Sequence, residues 1–109
     1  MKQMIELWNN IAERLEDISK FLQNLYDHDL LEEFDVKLAY DFKARVYNCD
    51  VMWHIEEKPR KTSSMQIPCK YFPEIYGKHV EWIESLKKTI LKEVKNVYKK
   101  EYVDYITNL

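Results

Sequence analysis

Two cysteines and two histidines have the residue types of a zinc site. Cys49, His54, Cys69 and His79 follow the spacing C-x4-H-x14-C-x9-H, and tetrahedral zinc takes four sulfur or nitrogen ligands. The spacing lacks the short C-x2-C or H-x3-H pairs that make such sites recognisable. We therefore expect no metal and no cofactor, and we interpret both cysteines as free thiols in a reduced, cytoplasmic protein.

Four carboxylates repeat the pattern of a magnesium site. Glu13-x-x-Glu16 and Glu32-x-x-Asp35 resemble the ExxE…ExxD quartet with which all-helical nucleoside-triphosphate pyrophosphohydrolases hold Mg²⁺, an ion that prefers oxygen ligands. The resemblance implies a Mg²⁺-dependent nucleotide hydrolase, and it requires residues 29–47 to be helical. Because a chain with 19 acidic residues produces such pairs by chance, solvated surface acids are the simpler interpretation and the hydrolase is a minor alternative.

Basic residues concentrate in the second half of the chain. Residues 1–50 carry a net charge of −5 and residues 51–109 carry +3. Converging lysines and arginines would neutralise phosphates and bind nucleic acid, although the pI of about 5.9 is lower than is usual for such domains. The residues that would carry this alternative function are Lys58, Arg60, Lys61, Lys70, Lys88, Lys92, Lys95 and Lys99.

Aromatic residues near the same segment indicate a protein-binding surface. Aromatics are enriched at the residues that dominate protein–protein binding, and cations on an exposed sheet face would add electrostatic docking. The alternative is that these aromatics close one end of the core. The predicted partner-binding residues are Trp53, Tyr71, Phe72, Tyr76, Lys37, Lys43 and Arg45.

The first element that must position these residues is a helix over about residues 2–26. Its apolar stripe has alternating spacings of 4 and 3, which is typical of an amphipathic helix. Asp27, His28 and Asp29 are expected to end it. The same spacing is a three-heptad seam. The stripe could therefore pack on the rest of the chain, or it could form a homodimer with the same helix of a second chain. The stripe consists of Met4, Trp8, Ile11, Leu15, Ile18, Leu22 and Leu25.

Strict alternation then predicts a half-buried strand over about residues 34–47. Every even-numbered residue from Phe34 to Val46 is apolar, and five of the seven residues that alternate with them are charged. A helical stripe can also be drawn through this segment, but it would turn Val36 and Tyr40 toward water. We expect a hairpin turn at 48–50 and a return strand over about 50–57. The outer face of the sheet would then present Asp35, Lys37, Asp41, Lys43 and Arg45.

All three prolines fall between residues 58 and 73, which predicts a basic loop there. Residues 65–67 could add a short strand, which Pro68 would confine to an edge. A single long helix is expected from residue 75 or 78 to 107. Its inner stripe is predicted to be Ile83, Leu86, Ile90, Val94, Val97, Tyr98, Tyr102, Tyr105 and Leu109.

The predicted architecture is an α+β fold of one small globular domain over residues 1–109. An N-terminal helix and a long C-terminal helix pack on one face of an antiparallel hairpin, to which a third short strand could be added. Apolar residues make up 46% and charged residues 33%, which indicates a globular chain rather than a disordered one. No apolar run is long enough to span a membrane.

The sequence favours a non-catalytic function. A single glycine cannot build the glycine-rich loops that cradle phosphates, and we assign no catalytic residue. The expected function is protein–protein interaction as an inhibitor, immunity protein or adaptor, a type common among small phage and mobile-element proteins. Another protein is the expected partner, with nucleic acid as the alternative.

Overall fold

The computed structural model describes the backbone of residues 2–108 and the side chains of residues 6–70 and 75–108. It confirms the α+β prediction, with a three-stranded antiparallel sheet in the order β1-β2-β3 and the helices α1 and α2 on one face of it. A 3₁₀ turn, Cys69–Tyr71, connects the sheet to the second helix. The elements are α1 (Lys2–Asp27), β1 (Glu33–Asp41), β2 (Val46–His54), β3 (Lys61–Pro68), α2 (Phe72–Val97) and α3 (Lys100–Thr107).

The predicted first helix is confirmed, as is its end at residues 27–29. Asp29 adopts a φ of 62°, a left-handed conformation that aspartate tolerates better than most residues. The amide of Leu30 then donates to the carbonyl of Leu25 at 2.9 Å, which satisfies a carbonyl at the helix end. From Ile11 to Leu25 the predicted stripe is buried in this chain's own core. That part of the seam is therefore not available for a coiled coil with a second chain.

Residues 34–41 and 46–47 are strand rather than helix, as predicted, but they belong to two strands, and the predicted turn at 48–50 is wrong. The chain turns at residues 42–45, and Asn48, Cys49 and Asp50 lie within β2, which runs from 46 to 54 rather than from 50 to 57. The Asp41 carboxylate accepts hydrogen bonds from the amides of Lys43 and Ala44 at 3.0 and 3.1 Å. This side-chain cap makes a turn without glycine or proline, and the alternation in the sequence runs through it without a break.

The shifted turn changes which side chains face the core. Phe42, predicted to point inward, is 80% exposed at the tip of the hairpin, whereas Tyr47, predicted to point outward, is 1% exposed. Successive residues of a strand point to opposite faces, so the four-residue turn reverses the pattern expected for an unbroken strand. The core-facing residues of β2 are Tyr47, Cys49, Val51 and Trp53.

The predicted loop over 58–73 is mostly ordered secondary structure. The optional strand at 65–67 becomes the eight-residue β3, paired with β2 from Lys61 to Pro68. It is an edge strand, as the proline required. Only residues 55–60 form an irregular connection between the two strands. The prolines and polar residues misled the prediction because an edge strand tolerates both.

The predicted single C-terminal helix is two helices. Lys99 has an extended backbone with ψ of 128°, which interrupts the helix after Val97 and rotates the stripe that follows. Val103 and Ile106 are buried in place of Tyr102 and Tyr105, which are exposed. Neither glycine nor proline marks this break in the sequence, and Leu109 lies outside the described residues.

The core lies between the sheet and its two long helices. α1 and α2 contribute aliphatic residues, α3 adds Val103 and Ile106, and Trp82 of α2 donates a hydrogen bond to the Ser63 hydroxyl of β3 at 2.8 Å. No helix among residues 2–108 combines the length and the apolar character needed to cross a membrane.

Replacing Asp41 by alanine tests the position of the turn. Asp41→Ala removes the acceptor of two backbone amides and should lower the free energy of unfolding by about 1 kcal/mol. Asn48→Ala lies within β2 and should change it by less than about 0.5 kcal/mol. Urea denaturation of the two variants measures both effects. A larger loss of stability in Asn48→Ala than in Asp41→Ala would contradict the turn at 42–45 and favour a turn at 48–50.

Candidate functional site

The four zinc-ligand candidates do not converge. Cys49 Sγ lies 3.9 Å from Nε2 of the buried His79, but His54 is five residues from Cys49 on the same strand and therefore on the other sheet face. Cys69 contacts the Tyr40 hydroxyl at 3.9 Å instead. Burial raises the pKa of the Cys49 thiol to about 12, so it is a core thiol. The described side chains include no group of three or more potential metal ligands.

The carboxylate quartet also lacks the backbone that it requires. Residues 33–41 are strand rather than helix, so the second pair cannot form the helical half of a Mg²⁺ site. Glu16 pairs with Lys20 at 3.4 Å and Asp35 pairs with Lys37 at 3.5 Å. Glu13 is exposed on α1 and Glu32 is exposed before β1. This geometry contradicts the all-helical hydrolase.

The basic residues of the 58–70 segment separate into two groups. Lys58, Arg60 and Lys61 lie at the start of β3, whereas Lys70 follows its end, more than about 20 Å along the strand. Arg60 pairs with Glu33 at 2.9 Å, and Lys61 pairs with Glu93 of α2. The first group therefore sits in a surface already rich in carboxylates.

The lysines of the last predicted helix are divided in a similar way. Lys95 pairs with Asp104 of α3 at 2.9 Å, so its ammonium group is partly neutralised within the fold. Lys88 and Lys92 are exposed on α2, and Lys99 is exposed at the junction with α3. The structure thus leaves a shorter basic surface than the sequence predicted.

The predicted aromatic surface is only partly accessible. Trp53 is 5% exposed, and its indole nitrogen donates to Glu93 at 2.8 Å. Tyr76 is half-buried, and its hydroxyl accepts a hydrogen bond from Arg14 Nε at 2.7 Å. The side chains of Tyr71 and Phe72 lie outside the described residues. The observed part of this group closes the core more than it presents an aromatic surface.

The β1–β2 turn brings two predicted partner-binding cations next to an aromatic ring. Lys43 and Arg45 are exposed on either side of Ala44, directly after the exposed Phe42. Arg45 has a φ of 55°, a conformation that reverses the chain within the turn. Arg45 and Lys70 line one open hollow at this end of the sheet. We call Phe42, Lys43, Arg45 and Lys70 the hairpin-tip surface.

The Phe42 ring is held by a series of aromatic contacts. Its centroid is 4.8 Å from that of Tyr40 in an edge-on arrangement, and Tyr40 lies 4.9 Å from Tyr47, which in turn lies 6.1 Å from Trp8. Edge-to-face aromatic pairs are favourable. The exposed ring is therefore positioned by a neighbour that is itself packed on the core.

The sequence interpretation missed Phe42 because it counted this residue as inward-facing. The predicted turn at 48–50 kept Phe42 within the strand and on its apolar face, whereas the actual turn begins directly after Asp41. Lys37 does not join the hairpin-tip surface, because it lies on the outer face of β1, about 13 Å before Asp41.

No protein-family profile, curated protein or solved structure matches this chain.

The buried histidine generates a prediction about pH. His79 is fully buried and its Nδ1 has no hydrogen-bond partner among the described residues. Burial, with a smaller contribution from the Arg14 charge, lowers the pKa of His79 below its usual value. His79 is therefore protonated at a higher pH in the unfolded chain than in the folded chain. The free energy of unfolding should fall as the pH drops below about 6.5, by at most about 1.4 kcal/mol per pH unit.

His79→Leu should remove this part of the pH dependence, whatever its effect on stability at neutral pH. The matched control is His54→Leu, which replaces a half-exposed histidine on the outer sheet face. Denaturation with urea between pH 7.5 and 5 compares the slopes. Equal slopes in wild type and His79→Leu would contradict the assignment.

Proposed function

We propose that this protein is a non-catalytic binding protein that docks an acidic surface of another protein through its hairpin-tip surface. The observation that carries the proposal is the Phe42 side chain, 80% exposed beside two exposed cations. Aromatic rings are enriched among the residues that anchor protein interfaces.

The turn supports this use because it is pre-organised. The Asp41 carboxylate fixes the backbone on the amides of Lys43 and Ala44, and Tyr40 supports the Phe42 ring. A rigid anchor loses less conformational freedom on binding than a flexible one, which leaves more of the contact energy for affinity.

The charges support an acidic partner. Lys43 and Arg45 are exposed in the same turn as Phe42, and Arg45 and Lys70 line the adjacent hollow. Cations at the rim of an interface mainly accelerate association and select partners of opposite charge. We place this activity in the cytoplasm, because both cysteines are free thiols. An inhibitor or adaptor role would require no more than such a surface.

Photo-crosslinking tests the proposal directly. We expect a benzophenone amino acid at position 42 to crosslink one specific protein in cells that produce this chain. The same amino acid at position 105, another exposed aromatic position, is the control and should not crosslink that protein. Equal labelling from both positions would contradict the proposal.

Two charge-matched variants identify the surface. Lys43→Glu/Arg45→Glu should remove the crosslink, whereas Lys88→Glu/Lys92→Glu changes the net charge equally and should retain it. With the partner purified, Phe42→Ala should weaken binding by about 2 kcal/mol, roughly 30-fold in Kd. If nucleic acid is recovered instead and is lost only in the Lys88→Glu/Lys92→Glu variant, the nucleic-acid alternative replaces this function.

A further inference from the structure

β1 is an edge strand whose only protection against pairing, within the described residues, is a set of charged side chains on its outer face. Within residues 2–108 it is hydrogen-bonded to β2 alone. Proteins commonly protect an edge with proline, a bulge, a very short strand or charged side chains, above all lysines and charges that point inward. The charged residues of β1 are all odd-numbered and lie on the outer face of the sheet. β1 has nine residues in unbroken register with β2, no proline and a single lysine. That lysine, Lys37, lies 3.5 Å from the Asp35 carboxylate.

The hydrogen-bond pattern shows which residues of β1 face the open edge. The Cys69 amide donates to the Arg45 carbonyl at 3.2 Å, so Arg45, directly before β2, directs its backbone groups toward β3. Because successive residues of an antiparallel strand bond to opposite neighbours, odd-numbered residues of β2 bond to β3 and even-numbered ones bond to β1. The carbonyl of His54, which accepts from the Glu32 amide at 2.8 Å, follows the same rule.

The register transfers this alternation to β1. Its odd-numbered residues are opposite even-numbered residues of β2 and bond to that strand. Phe34, Val36, Leu38 and Tyr40 therefore present their N–H and C=O groups to the open edge.

Phe34, Val36 and Leu38 also leave apolar surface along that edge. Their side chains point to the core face of the sheet, yet they are only half-buried, whereas the core-facing residues of β2 beside them are buried. The helix layer thus covers β2 completely and leaves the margin of β1 open. Tyr26 of α1, which is also exposed, packs edge-on against Phe34 with the ring centroids 5.8 Å apart.

We propose that β1 pairs with β1 of a second copy of this chain, antiparallel and about a two-fold axis through Val36. The pairing joins two three-stranded sheets into one continuous six-stranded sheet. Phe34 of each copy lies opposite Leu38 of the other, and about six new backbone hydrogen bonds form at Phe34, Val36 and Leu38.

Charge selects this register from its neighbours. The axis must pass through a residue, because opposed residues of antiparallel strands share a sheet face. An axis through Val36 places each Asp35 opposite Lys37 of the second copy. An axis through Asp35 places this residue opposite Asp35 of the second copy, and an axis through Lys37 places Lys37 opposite Lys37. Like charges directly opposite each other are destabilising. An axis through Leu38 places Asp35 opposite Asp41 of the second copy.

The dimer surface is separate from the hairpin-tip surface. Phe42 lies beyond the residues that pair, so Lys43→Glu/Arg45→Glu should leave self-association unchanged. Failure of the binding function and failure of the dimer are therefore distinguishable.

A charge swap tests the register. Lys37→Asp turns both attractive pairs into Asp–Asp pairs and should weaken dimerisation about tenfold. Asp35→Lys/Lys37→Asp restores two opposite-charge pairs in the dimer and should recover most of the affinity. Both variants place an aspartate opposite Asp50 of β2, so a defect within the monomer cannot explain a rescue. Lys88→Asp, on the exposed surface of α2, is the control for net charge and should dimerise like wild type.

Sedimentation equilibrium up to millimolar concentration measures the dissociation constants. Amide hydrogen exchange by NMR locates the interface, because the Phe34, Val36 and Leu38 amides should become protected only as the dimer forms. The Asp35, Lys37 and Ala39 amides, already bonded to β2, should be protected at all concentrations. A monomer at every concentration, or a dimer in which the three edge amides still exchange freely, would overturn the proposal.

Discussion

The hydrogen bonds from two backbone amides to the Asp41 carboxylate close the β1–β2 hairpin, and the rest of the structure depends on that turn. A strand presents alternate residues to opposite faces, so a shift of one residue would exchange its core and solvent sides. With the turn at residues 42–45, Tyr47, Cys49, Val51 and Trp53 enter the core. The same turn places Phe42 in water between the ends of the two strands.

The single helix layer adds a second constraint. Two long helices on one face bury the core side of the central strand completely, but they cover its neighbours unevenly. Exposed or half-buried apolar side chains are consequently found at the boundaries of the sheet: Phe42 at the tip of the hairpin, and Phe34, Val36 and Leu38 on the free side of β1. The Cys49–His79 pair is enclosed in the core, and the acidic residues named as possible ligands are dispersed over the surface.

Local patterns predicted much of the fold. The regular stripe of α1 predicted the first helix, and the alternation from Phe34 predicted strand rather than helix, because each depends on the period of a single segment. The turn was misplaced because Asn48 and Asp50 have good turn propensity, whereas the actual turn depends on one carboxylate. The candidate site was less predictable. Lys43, Arg45 and Lys70 were recognised as cations, but Phe42 was assigned to the core.

The sequence by itself determined the class of fold, the course of the first helix and the absence of a recognisable catalytic motif, since composition and periodicity are properties of the chain alone. Only the tertiary structure decided where the hairpin turns, that the last helix breaks at Lys99, and which lysines lie beside carboxylates. These features depend on contacts between segments far apart in sequence. Lys61 meets Glu93 only after β3 and α2 have packed together, and no local pattern encodes that contact.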